Sequence, residues 1–336
     1  MNKIFRTILT GALTSTCILF PFSACGEDDG LKTVKINEVT HSVFYAPLYL
    51  ADALGYFEDF SIKIELTNGG GADNVMSAVL SGDADIGFCG PEAALYVLIG
   101  GSTDAAKVFG QLTKRDGSFL VAREAPDGDF DWNELVGKEV LAGRRGGVPA
   151  MTFEYVLKEH DILPQVNLNY DVAFNLMTSA FEAGTADYCT MFDPVAYDFE
   201  SKGYHVVASV GEASGEIPYT CFMAKESWLE DNETHAQNFL TAVTKAIKYV
   251  NETDENTVAE YLKPYFEGTE KAALAASVKR YKNIDAWVTN MAMTESSFTR
   301  LQDVIESAGE LERRVEFSSL IDVTYANAAY RNVYST

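Results

Sequence analysis

The chain alternates and clusters its apolar positions in a way that spells strand and helix in turn. "LKTVKINEV" sets Val34, Ile36 and Val39 between polar residues, the period of a half-buried strand. "YAPLYLADALGYF" follows with helical spacing, then "SIKIEL" as a second strand and "NGGG" as a turn. "ADNVMSAVLSG" places Val75, Met76, Val79 and Leu80 on one face, an amphipathic helix stopped by Gly82, and "ADIGF" is a short buried strand. After "DGSFLVARE" the same grammar returns. "KEVLAG", "VNLNYD" and "ADYCTMF" read as strands, with helices over "PAMTFEYVLKEHDI" and "AFNLMTSAFEAG" between them. "HVVASV" and "IPYTCFMAK" add two more strands, and amphipathic runs near 227–250, 255–266, 270–282 and 295–307 make the last third helical. Alternating strand and helix predicts parallel α/β sheets with crossover helices.

Two of these stretches repeat each other. Ala72, Asn74 and Met76 match Ala173, Asn175 and Met177, and Gly82, Ala84 and Asp85 match Gly184, Ala186 and Asp187 after one extra residue. Each copy then reaches Pro-x-Ala, Pro91-Glu92-Ala93 and Pro194-Val195-Ala196. Two similar α/β units follow, facing each other across a cleft. Crossings near 117–122 and 217–222 form a hinge, and the helical C-terminal third packs on the first lobe.

Composition narrows the function. Lys and Arg number 26 against 49 Asp and Glu, a net charge of −23, which disfavours nucleic-acid binding. The first 25 residues differ from the rest: Lys3 and Arg6 precede an apolar run from Ile8 to Phe22, too short to span a bilayer comfortably. It ends in "FSAC", small Ser23 and Ala24 before Cys25. That arrangement resembles the bacterial lipoprotein signal, which implies cleavage before Cys25, acylation of its sulfur and a mature domain outside the cytoplasm. The remaining Cys89, Cys189 and Cys221 are odd in number and lack a CxxC, so neither a disulfide framework nor a thiolate metal site is signalled. His41, His160, His205 and His235 are scattered without metal-ligand spacing.

"HSVFYAPLYLADALGYFEDFSIKIEL", "SGDADIGFCGPEA", "VGKEVLAGRRGGVPAMTFEYVLK" and "GEIPYTCFMAK", in that order, resemble the extracytoplasmic solute-binding proteins of ABC importers. The branch is that of sulfonate, nitrate, taurine and thiamine-pyrimidine-precursor binders, and the resemblance covers about residues 33 to 300. It implies a type II periplasmic-binding-protein fold of two Rossmann-like lobes and passive delivery of a solute to a membrane permease. The expected organisation is a signal peptide over 1–24, a tether over 25–32, a first lobe of 33–118 plus 221–336, and a second lobe of 119–220. A monomer without cofactor or metal is expected.

Candidate contacts sit where strands give way to loops. In "THSVFYAP", His41, Ser42, Phe44 and Tyr45 offer a donor and a stacking face, or pack beneath the loop. In "TNGGGAD", Asn68, Gly70 and Gly71 let the backbone approach a ligand at a helix start, or form a plain turn. Gly90 and Glu92 of "CGPEA" start a helix, with Glu92 as its cap or as acceptor for a ligand amine. "GRRGGVPAMT" puts two guanidinium groups before glycines and a helix start. One of Arg144 or Arg145, with Gly146, Gly147 and Thr152, suits a carboxylate, sulfonate or phosphate. Phe192 stacks on a planar solute, Asp193 accepts from its N–H groups or caps the helix after Pro194, and Tyr219 closes over the ligand or packs at the hinge.

No nucleophile elbow or redox cysteine pair is present. A solute receptor is the first reading, for a small organic solute that is anionic, aromatic or both. An enzyme on the same two-lobed shape is the alternative, of pyrimidine-precursor-synthase or menaquinone-pathway type. The cysteine-rich motif of the former is missing, and the latter are cytoplasmic. An extracellular sensor or adhesion module is a third and weaker reading.

Overall fold

A computed structural model describes residues 30–335 of the chain. The signal segment, Cys17 and Cys25 lie outside the described residues. Ten strands form two five-stranded sheets. They are β1 (Lys32–Glu38), β2 (Ile62–Asn68), β3 (Ile86–Cys89), β4 (Ala106–Thr113), β5 (Ser118–Ala122), β6 (Glu139–Leu141), β7 (Asn167–Leu168), β8 (Tyr188–Phe192), β9 (His205–Ser209) and β10 (Thr220–Lys225). The first sheet runs β2-β1-β3-β10-β4 and the second β7-β6-β8-β5-β9.

These orders are one pattern used twice. In each sheet three strands are parallel, and the next is antiparallel to both its neighbours: β10 in the first sheet, β5 in the second. Each antiparallel strand enters from the other half of the chain, so the backbone passes between the sheets after β4 and again before β10. The sequence repeat falls on equivalent places. The carboxylate of Asp85 accepts the N–H of Lys35 at 2.9 Å, and that of Asp187 accepts the N–H of Glu139 at 3.0 Å, each tying the entry of the third strand to its neighbour. The helices before them, Ala72–Ser81 and Met177–Glu182, end at Gly82 (φ 83°) and Gly184 (φ 92°), where a left-handed turn demands glycine.

The C-terminal helices pack mainly on the first sheet. Glu233–Glu252 lies against Ala46–Ala53 and against a last helix, Thr324–Tyr334. Two helices reach across to the second sheet: Lys271–Asn283 touches Val195–Ser201, and Glu295–Ser307 touches Val148–Glu159. Apolar packing is continuous between the halves, and at its middle is an aromatic joint in which Phe44 and Phe119 both meet Tyr281. No helix of the described residues is long and apolar enough to cross a membrane.

Candidate functional site

The joint sets how the two rims face. Ser42 and Val43 of the loop after β1 donate to the Asp193 carbonyl of the second half, Ser42 Oγ at 2.6 Å and the Val43 N–H at 3.2 Å. The Asp193 N–H donates to Tyr281 Oη at 2.8 Å, and that hydroxyl donates to the Gly117 carbonyl at 3.2 Å. Asp193 is fully buried; its carboxylate accepts the Tyr197 N–H at 3.0 Å and pairs with Arg280 at 3.2 Å. Burial pushes its carboxyl up to about 6, against the pull of Arg280 and the Tyr197 N–H. Both charges are therefore committed to each other, and Arg280 also bonds Glu200. Phe44 is buried beneath the loop, its ring 5.6 Å from Phe192, 5.9 Å from Tyr219 and 5.0 Å from Tyr281. Trp287 donates to its carbonyl at 2.8 Å. At the first crossing, buried Asp116 accepts from the N–H (2.7 Å) and hydroxyl (2.6 Å) of Ser118, yet burial outweighs these and the Tyr219 hydroxyl and pushes it up to about 7.

Beyond the joint the rims enclose a cavity of ≈ 40 Å³, room for about one to three waters. Thr40, Tyr45, Gly71, Gly90 and Glu92 line it from the first half; Arg144, Gly147, Phe174 and Phe192 line it from the second, with Tyr219 and Thr220 at the return crossing. A second space of ≈ 190 Å³, lined by His41, Asn68, Gly70, Phe174, Asn175 and Phe192 among others, lies against it. Direct bonds hold the rims together. The Val148 N–H, at the start of helix Val148–Glu159, donates to Glu92 Oε1 at 3.2 Å, and Tyr96 Oη donates to the Gly146 carbonyl at 2.9 Å. Arg144 approaches Asp73 at 3.6 Å. Glu92 thus caps a helix of the opposite half, which spacing along the chain does not reveal. It is 1% exposed, and burial pushes its carboxyl up to about 7, partly offset by the Val148 N–H, by Arg144 and by the N–H groups of Glu92 itself and Ala93.

Several sequence candidates stand apart from the cavity. Arg145 is exposed, its guanidinium 4.2 Å over the Tyr170 ring, whereas Arg144 faces inward. Thr152 is buried in helix Val148–Glu159 without lining the cavity. Gly146 holds a left-handed turn (φ 74°). Asn68 accepts from the Gly70 N–H at 2.8 Å, and Gly70 lies against Asn175 of the facing half. The two ring nitrogens of His41 are engaged, Nδ1 with Glu38 at 2.7 Å and Nε2 with the Tyr265 carbonyl at 2.8 Å. Burial disfavours the imidazolium, but the Glu38 bond and charge outweigh it and raise the pKa. Asp116, Phe174, Arg280 and Tyr281 were not anticipated. Phe174 stands in the quoted repeat, while the others gain their meaning from partners far along the chain.

A sequence profile of the NMT1-like family matches residues 34–263. The Bacillus subtilis (strain 168) protein named "Putative binding protein YtlA" is 38% identical over 325 residues, covering 96% of this chain and 97% of its own. Among solved structures, the periplasmic nitrate-binding protein NrtA from Synechocystis PCC 6803 superposes with a TM-score of 0.74 at 13% identity, covering 91% of this chain and 90% of its own. The alkanesulfonate-binding protein SsuA from Xanthomonas axonopodis pv. citri, bound to MOPS, gives 0.71 at 16% identity, covering 87% and 98%. The desulfurization enzyme DSZB gives 0.61 at 13% identity, covering 90% and 99%. At such identities the structures establish shape, and the two-lobed periplasmic-binding-protein fold expected from the sequence is the fold found. With more than half of the chain matched and a full-length relative beside it, the chain belongs to the NMT1-like family.

Proposed function

We propose that the chain is an extracytoplasmic solute receptor, tethered to the membrane through lipid on Cys25, that captures a small organic solute between its sheets and delivers it to an ABC importer. The observation carrying this reading is the pair of equivalent sheets, joined by two crossings, whose rims line one cavity with aromatic faces and a few polar groups. Binding of this kind needs closure and directed hydrogen bonds and no reacting side chain. Tyr45, Phe174 and Phe192 suit a flat or apolar body, and the Arg144 guanidinium suits an acidic group such as that of a sulfonate. A thiamine pyrimidine precursor is a second candidate by resemblance.

A thermal-shift screen of sulfonates, pyrimidines, flavins and amino acids tests the reading. The expected result is at least one compound that raises Tm by mass action and is recovered unchanged. Arg144→Ala should weaken an acidic ligand at least tenfold and Arg145→Ala should not; equal effects would contradict the inward role of Arg144. Cys25→Ala should release the protein from membranes. An enzyme on this fold, as DSZB exemplifies, would instead convert the compound.

A further inference from the structure

We infer that the solute carries a protonated amine or amidine on a flat apolar body and presents its N–H donors to Glu92, the group that sets the specificity of the cavity. The inference rests on the receptor reading above and names the chemistry of its ligand. Glu92 lines the cavity at 1% exposure, with Oε1 taken by the Val148 N–H; the N–H groups of Glu92 and Ala93 pull on the carboxylate from its own helix start, but Oε2 completes no hydrogen bond among the described residues. Arg144, the cation of the same rim, pairs with Asp73, and its guanidinium forms no ion pair with Glu92 within 4.0 Å. The Tyr219 hydroxyl, at the edge of the same cavity, is engaged by the buried Asp116 carboxylate and leaves Glu92 as the open acceptor there. A buried carboxylate oxygen left without a full hydrogen bond is costly to desolvate. A ligand N–H at Oε2 removes that cost, whereas a solute bearing only acidic groups meets a like charge there. Gly90 belongs to this arrangement, because a Cβ on it would stand 2.0 Å from Oε2. The net charge of −23 adds a field that draws cations toward the protein.

Titration of Glu92 gives the inference a pH signature. The titratable groups around it are Tyr45, Tyr96, Tyr219, Cys89 and Cys221, whose pKa values burial raises, together with Arg144. With its carboxyl pushed up to about 7, Glu92 is mostly protonated at pH 6 and mostly ionised at pH 8. Affinity for a cation should therefore rise about tenfold over that interval.

The test is calorimetric titration of the full chain with two probes of equal shape, benzamidine and benzoate. Benzamidine should bind at least tenfold tighter at pH 8 than benzoate. In Glu92→Gln the amide oxygen can still accept from Val148, but an NH2 replaces the free acceptor. Benzamidine should then weaken at least tenfold and lose its pH dependence, while benzoate binds no worse. Should Glu92→Gln fail to fold, the order of the two probes on the wild-type chain and the pH dependence of benzamidine binding decide the matter. Preference for benzoate, or benzamidine binding unmoved by Glu92→Gln, would overturn the inference and leave the receptor reading standing. Binding of neither probe would also overturn it, and the broader screen then judges the receptor reading by itself.

Discussion

Gly117→Ala tests whether the aromatic joint is as tightly built as the structure shows. Gly117 lies between β4 and β5, at the first crossing. A Cβ there would stand 2.6 Å from two carbons of the Phe44 ring and 2.7 Å from a third. Carbon atoms prefer roughly 3.5–4.0 Å, so the overlap is close to 1 Å on three atoms at once. The ring has nowhere to retreat: Phe44 is fully buried, with Tyr45, Phe192, Tyr219 and Tyr281 around it at 5.0–5.9 Å between centroids. The φ of Gly117 lies outside the left-handed region, so the cost is steric alone. Overpacking of this kind costs about 1–3 kcal/mol, which for a chain of this size lowers Tm by about 2–10 °C. Urea denaturation and calorimetry measure both. Phe44→Leu in the same chain makes room, so the double variant should be less destabilised than the sum of the singles. A loss below about 0.5 kcal/mol, or strict additivity with Phe44→Leu, would refute the picture of a rigid ring against a bare backbone.

Other consequences concern the buried charges. Asp116 has its carboxyl at about 7 against an ordinary 3.8. Between these values the unfolded chain ionises while the folded one keeps its proton, so stability falls as pH rises and levels off above 7. The ceiling of that cost is about 4 kcal/mol at 1.36 kcal/mol per pH unit. Asp116→Asn should therefore stabilise increasingly from pH 4 to pH 8, read as a growing Tm difference; a constant difference would contradict the assignment. Arg280→Met strands the Asp193 carboxylate and should cost about 3 kcal/mol at pH 8. Because Asp193 titrates near 6 even beside Arg280, the loss should shrink at pH 5. Equal losses at both pH values would show that the pair is not the source.

The two-sheet plan was legible because its signals are local. Matched glycines end matched helices, and Asp85 and Asp187, paired in the sequence repeat, make the same bond in the two sheets. Strand β4 escaped notice because its residues, "AKVFGQLT", are almost all buried and so do not alternate. Helix Thr324–Tyr334 was missed as well, its alanines and tyrosines making a weak apolar stripe. The cavity was harder to read. Glu92 has a local explanation as the start of its own helix, which hides its bond to Val148 56 residues away. Asp193 likewise suggested a cap or a ligand contact, and nothing nearby announces Arg280, 87 residues on. Residue types named the chemistry, while long-range packing decided which groups remained free for a ligand.

The most direct measurement of the clamp is the distance between its halves with and without solute. Spin labels at Ser77→Cys and Ser179→Cys sit on exposed positions of the matched helices; Cys89, Cys189 and Cys221 are buried, so a chain with Cys17 and Cys25 replaced by serine is labelled selectively. A solute found in the screen should shorten and narrow the distance distribution, and dialysis should reverse the change and return the solute unaltered. The same distribution with solute bound and absent, or a solute returned as a different compound, would contradict the account.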